Sequence, residues 1–145
     1  MSETLRVQVE QVGPGTSKAQ ARSHSVVVDR PEARGGTDRG PLGGEYLLIG
    51  LGGCFMSNLL AAIRTRQAAV SNVRIAVDGT MEGTPVRFTS FTLNISASHN
   101  DPDLARRLIT IADRACAVTN TLRQMARFSI LFEGSPVESA LETVA

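Results

Sequence analysis

Leu5, Val7 and Val9 alternate with polar residues, the two-residue period of a strand. Val12-Gly13-Pro14-Gly15 is turn chemistry. Ser25-Val26-Val27-Val28 is β-branched and predicts a second strand, with a start near Arg22. Residues 30–44 carry Pro31, Gly35, Gly36, Gly40, Pro41, Gly43 and Gly44, which reads as a long loop of the kind that often carries function. From Tyr46 to Ile63 the chain runs 18 residues without a charge. That length alone permits a membrane span. Gly50, Gly52, Gly53, Ser57 and Asn58 dilute its apolar character, so a buried central helix is the expected reading. Arg64 and Arg66 suit its C-terminal end, where cations complement the helix dipole.

Val73, Ile75 and Val77 alternate, the Glu82-Gly83-Thr84-Pro85 turn follows, and Phe88, Phe91, Leu93 and Ile95 come next. The pair predicts a β-hairpin or meander. Asp101-Pro102 is a helix start, an N-cap acid with proline at the first helical position. Leu104, Leu108, Ile111, Ala112 and Ala115 then mark an amphipathic stripe. A short helix over Thr119–Arg127 and a last strand over Phe128, Ile130 and Phe132 complete the pattern, and the tail after Pro136 is expected to fray or form a short loose helix. Strands and helices come in blocks, which favours an α+β fold with an antiparallel sheet over a doubly wound parallel one. The 145 residues show no repeat and no linker, so a single domain over 1–145 is expected.

Composition narrows the function. Fifteen basic residues against fourteen acidic leave a charge of +1, too little surplus for a primary nucleic-acid binder. Five Phe, one Tyr and no Trp give little to stack bases on. Fourteen of the basic residues are Arg, a skew that coding bias alone explains. The start, MSETLRVQVEQV, lacks the basic and apolar blocks of a secretory signal, so a cytoplasmic protein is expected. In that compartment two cysteines suggest catalysis, redox chemistry or metal binding ahead of a structural disulfide.

Candidate chemistry is sparse. Gly50-Leu51-Gly52-Gly53 begins like a dinucleotide fingerprint, but Phe55 stands where the third glycine belongs, and no P-loop exists. Close packing of the helix accounts for these glycines. His24, Cys54, His99 and Cys116 form no paired metal-ligand spacing, and no G-x-S-x-G elbow is present. Cys54 and Cys116 remain. Singly, each reads as an inert buried residue. Together they stand out, each beside small neighbours and each at or inside a helix.

Glu45-Tyr46-Leu47-Leu48-Ile49-Gly50-Leu51-Gly52-Gly53-Cys54-Phe55 resembles the helix of the OsmC/Ohr family of thiol-dependent peroxidases, E-L-L-L-A-A-L-G-G-C-F, with its reactive cysteine. Cys116-Ala117-Val118-Thr119-Asn120-Thr121-Leu122 resembles the family's second motif, C-P-V-S-N-T-L, with Ala117 replacing proline. The element order agrees over most of residues 3–134. The resemblance implies an α+β fold whose antiparallel sheet packs on a long central helix, in an intertwined homodimer. It implies that Cys54 attacks the O–O bond of an organic hydroperoxide, that Cys116 condenses with the resulting sulfenic acid, and that a dithiol, lipoyl-bound in some members, reduces the disulfide. No flavin, haem or metal cofactor is implied.

An unperturbed thiol is mostly protonated at pH 7, and a nearby guanidinium favours the nucleophilic thiolate. In the family that arginine comes from the N-terminal strands or the loop after them. Arg22 is the first candidate, with Arg30, Arg34 and Arg39 as rivals. The chain departs from the family at one place. The classical peroxidases hold their arginine with a Glu ten residues before the reactive cysteine, and here Gly44 occupies that position. Glu45 lies about 100° further around the helix and is the candidate substitute. The alternative function is a ligand-binding or redox-sensing dimer without efficient turnover.

Overall fold

The computed structural model describes residues 1–138. The chain divides into two compact units, one from Met1 to Leu47 and one from Leu48 onward.

In the first unit, strands β1 (Gln8–Gln11), β2 (Ser17–Ala21) and β3 (His24–Val28) form an antiparallel sheet in that order. The Leu5–Val9 alternation predicts one strand and the Val26–Val28 run a second. The strand between them, Ser-Lys-Ala-Gln-Ala, carries no apolar alternation strong enough to announce it. The loop after β3 is built around one buried carboxylate. Asp29 is 2% exposed. Its Oδ2 accepts from the Thr37 hydroxyl at 2.6 Å, the Thr16 hydroxyl at 3.1 Å and the Arg39 N–H at 3.1 Å, and its Oδ1 accepts from the Arg30 N–H at 2.7 Å. One acid thus gathers donors from both ends of a glycine-rich segment. These bonds, the Thr37 hydroxyl foremost, hold the Asp29 carboxyl well below the usual carboxylate range, although burial acts the other way.

Helix α1 (Gly43–Thr65) starts where Glu45 Oε1 accepts from the Leu42 N–H at 2.8 Å, the return half of a capping box. Leu51, Phe55, Leu59 and Ala62 are its buried residues, a stripe at helical spacing. By length and composition α1 is also long and apolar enough to cross a membrane.

The second unit holds a four-stranded sheet: β4 (Val70–Glu82), β5 (Arg87–His99), β6 (Arg127–Phe132) and β7 (Ser135–Pro136), neighbours in that order. The predicted hairpin is β4–β5, antiparallel with thirteen residues in each strand. β6 pairs with β5 in parallel, because helices α2 (Pro102–Ala115) and α3 (Ala117–Leu122) carry the chain back before it begins. Every second residue of β5 from Phe91 to Ile95 is buried, and these join the α1 stripe, Ala105, Leu108, Ile109 and Ala112 of α2, and Ile130 and Phe132 of β6 in one core. Asp101 caps α2 as expected, accepting from the Asp103 and Leu104 N–H groups at 3.1 and 3.2 Å. The buried stripe of α2 is turned from the predicted one: Ala105 and Ile109 are buried, whereas Ala115 is exposed.

Two glycines of the second unit mark close approaches. A Cβ on Gly52 would lie 2.9 Å from Val77 Cγ2, and one on Gly79 would lie 2.8 Å from Leu48 Cδ2. Close packing thus accounts for Gly52 in the run before Cys54, whereas a Cβ on Gly50 or Gly53 would meet nothing within 4 Å. The tail after Pro136 falls almost wholly outside the described residues, save that the Val137 N–H bonds to the Ile130 carbonyl at 2.9 Å.

An acid held below its unfolded pKa of about 3.9 stabilises the fold above that pH, and the contribution fades as pH falls toward the folded value. Urea unfolding of wild type and Asp29→Asn will therefore differ most at neutral pH, and the two curves will converge below about pH 4. A constant difference between pH 7 and pH 3 would show that the Asp29 charge is not what closes this loop.

Candidate active site

Cys54 lies in mid-helix on α1, one residue before the buried Phe55, and is half-buried. Cys116 is the residue between α2 and α3 and is fully buried. The fold brings the two sulfurs to 3.2 Å, with the Cys116 thiol donating to Cys54 Sγ. Both are free cysteines. Burial pushes the Cys116 thiol up; the nearby Cys54 sulfur adds to this, and the Thr119 N–H and hydroxyl act the other way without prevailing. Cys116 therefore holds its proton at neutral pH and serves as a donor.

The corner that presents Cys116 is braced from below. Arg123 Nη2 donates to both oxygens of Asp113, at 2.8 and 3.0 Å, and both residues are buried. The Arg123 guanidinium also lies 4.9 Å from the Phe128 ring centroid. The Thr119 hydroxyl is within donating reach of the Asp113 carbonyl at 3.1 Å and the Cys116 carbonyl at 3.0 Å. The last turn of α2, the first turn of α3 and Cys116 are thus tied to one another. Sequence reading misses this brace, because Asp113 and Arg123 look like ordinary surface charges near helix ends. Their spacing on either side of Cys116 is the one available signal.

A further polar group stands at Cys54. Asn58, one turn along α1, donates from Nδ2 to the Cys54 carbonyl at 2.9 Å and lies 3.8 Å from Cys54 Sγ. In the sequence Asn58 registers only as a polar interruption of an apolar run.

The remaining candidates lie in the first unit. Arg22 is exposed, in the turn between β2 and β3, with φ of 55°. Glu45 bonds to the Leu42 N–H, and among the described residues it forms no ion pair with an arginine. Arg39 and Glu45 line the same open cleft of about 340 Å³, together with Pro31, Asp38, Gly40 and Pro41. Of the two histidines, His99 pairs with Glu133 at 2.9 Å, and His24 is an exposed residue of β3.

The family model described as OsmC-like protein matches residues 36–130. The chain belongs to the OsmC-like family. The matched span takes in Glu45, Cys54 and Cys116 and leaves Arg22 outside it. Solved structures share the fold. An OsmC-like protein from Mycoplasma pneumoniae is 17% identical with a TM-score of 0.78, over 91% of this chain and 96% of that one. The organic hydroperoxide resistance protein OsmC from Legionella pneumophila is 14% identical with a TM-score of 0.71, over 90% and 96%. An organic hydroperoxide resistance protein from Elizabethkingia anophelis, solved with thiocyanate bound, is 16% identical with a TM-score of 0.72, over 91% and 96%. No curated protein matches the chain. At these identities the likeness carries the α+β architecture of this OsmC-like chain, and the chemistry has to be argued from its own residues.

Breaking a buried ion pair from one side leaves a charge without its counterion, which typically costs about 3–5 kcal/mol. Arg123→Met should therefore lower the urea unfolding free energy by about that much. Asp113→Asn with Arg123→Met, which removes the charge from both sides, should recover part of the loss. Equal losses in the single and double variants would show that the brace is not electrostatic.

Proposed function

We propose that this chain reduces organic hydroperoxides with Cys54 as the attacking thiolate and Cys116 as the resolving thiol. The contact of the two sulfurs at 3.2 Å, one accessible and one buried with its proton, is the observation that carries this reading. The Cys54 thiolate attacks the terminal oxygen of the peroxide. An S–O bond forms, the O–O bond breaks, and the alkoxide takes a proton to leave as the alcohol. The sulfur of Cys116 then attacks the sulfenic sulfur, the disulfide forms, and water leaves with the Cys116 proton. The sulfurs need to close by about 1.2 Å to reach the roughly 2.0 Å of a disulfide, a change within the range of side-chain rotation. An external dithiol returns both sulfurs to thiols by exchange and leaves as its own disulfide. No further cofactor enters the cycle. Neighbours of the same fold named as organic hydroperoxide resistance proteins support the substrate class.

A cation beside the thiolate would favour it, and Arg22 is kept as the first candidate for that role. Glu45 is engaged at the start of α1 through Leu42, which favours the second reading, a redox-sensing dimer whose cysteine pair forms its disulfide without rapid turnover. The homodimer is common to both readings. Leu47, Ile49 and Leu60 of α1 are 37%, 55% and 44% exposed, and a second copy of the chain would cover them.

Wild type should consume cumene hydroperoxide with a dithiol reductant, and Cys54→Ser should fall to the rate of the dithiol alone. One equivalent of peroxide should give the Cys54–Cys116 disulfide by mass spectrometry, and Cys116→Ser should leave Cys54 as the sulfenic or sulfinic acid. Disulfide formation without turnover selects the sensing reading. Sedimentation equilibrium at low micromolar concentration should read a dimer, and a folded monomer there overturns the dimer in both readings.

A further inference from the structure

We infer that Asn58 is a catalytic residue of this site, donating from its side-chain amide to the sulfur of Cys54 in the thiolate state. The inference rests on the cysteine chemistry proposed above and adds a residue to it.

A carboxamide nitrogen carries two hydrogens and accepts nothing. On Asn58 one of them is spent on the Cys54 carbonyl at 2.9 Å, a strong bond that fixes the plane and direction of the amide. With the amide so held, the same nitrogen lies 3.8 Å from Cys54 Sγ, within the reach of an N–H donor to the larger sulfur atom. The spacing is the helical one: residue i+4 lies over residue i on the same face. Hydrogen bonding to the charged form of an acid favours that form, and a thiolate gains more from an added donor than a thiol does. When the sulfur carries an oxygen, the same N–H lies beside the new S–O group.

The placement is costly for the helix itself. Asparagine is a poor helix former compared with alanine, and Asn58 sits in the middle of a 23-residue apolar helix. Its neighbours Phe55 and Leu59 are core residues. The Cys116 thiol is the other donor to the same sulfur, so Cys54 Sγ receives one N–H and one S–H from opposite parts of the sequence.

The test reads helix stability and sulfur chemistry separately. In the full chain, Asn58→Ala should leave the melting temperature unchanged or raise it, since alanine favours the helix. The same variant should slow alkylation of Cys54 by iodoacetamide at pH 7.5 by about three- to tenfold, followed on the Cys54 peptide by mass spectrometry. Asn58→Asp removes the donor and adds a like charge, so its alkylation should be slower again, by at least about tenfold against wild type. Alkylation within about twofold of wild type in both variants overturns the inference, as does a loss that tracks a fall in melting temperature. The alkylation assay uses no peroxide. If it falls as expected while wild type consumes no cumene hydroperoxide, the peroxidase reading fails and takes the catalytic role with it, while the donation from Asn58 to the Cys54 sulfur stands. If wild type consumes peroxide and both variants keep wild-type alkylation, the assignment fails and the peroxidase reading stands.

Discussion

The burial of one face of α1 is the constraint on which the site depends. Leu51, Phe55 and Leu59 fix the rotation of the helix by entering the core. Successive residues of a helix step by about 100°, so Cys54 is turned by that angle from Phe55 and falls at the margin of the buried stripe. A sulfur at the margin is half in contact with protein and half available. Moving the stripe by one residue would put Cys54 either at the centre of the core or fully outside it. Gly52 takes part in the same constraint, because its missing side chain lets the helix approach Val77 on β4.

The second sulfur reaches the first by a different device. Cys116 belongs to neither helix but to the joint between them, and a joint has to be held if its side chain is to stay in one place. The Asp113–Arg123 pair and the Thr119 hydroxyl hold it from both sides. A buried ion pair adds little net stability over well-packed apolar residues, but it is directional, and here it sets the path of the backbone through Cys116. The result is an unequal pair. Cys116 is fully buried, and burial keeps its proton in place. Cys54 faces outward enough for a small molecule to reach it. Two cysteines of equal exposure would compete for the same oxidant; this arrangement leaves only one of them accessible to it.

Legibility from the sequence followed the range of the interaction. The β4–β5 hairpin, the Asp101 cap and the long helix are local patterns, each written in a dozen consecutive residues, and the structure has them close to where periodicity puts them. The parallel pairing of β5 with β6 was not readable, because alternation marks a strand without naming its partner or direction. The turned stripe of α2 has a related cause: Ala105 and Asp113 are buried by what they meet, not by their own hydrophobicity. Asp29 is the plainest case. In the sequence it is one acid in a polar stretch, and in the fold it is the point on which the Thr16 and Thr37 hydroxyls and three backbone N–H groups converge. At the candidate site, the cysteines were found through two motifs, while Asn58 and the brace under Cys116 are contacts that no motif encodes.

The departure at Gly44 bears on how charge is managed at Cys54. A carboxylate at that position serves to hold a guanidinium, and a guanidinium serves to favour the thiolate. Glu45 is one step around the helix and is bonded to the Leu42 N–H, where its charge complements the helix start. A site that lacks its carboxylate clamp has to find anion stabilisation elsewhere or work without it. On the reading proposed above, neutral donors are the local substitute. They do not need a counterion to keep them in place, since each is fixed by its own backbone: the Asn58 amide by the carbonyl of Cys54, and the Cys116 thiol by the braced joint. A neutral donor stabilises an anion less than a full positive charge does, but two of them on one sulfur act at contact distance, where fixed dipoles cost no reorganisation. In this chain the donors to the Cys54 sulfur come from a half-buried residue one turn along α1 and from the buried joint between α2 and α3.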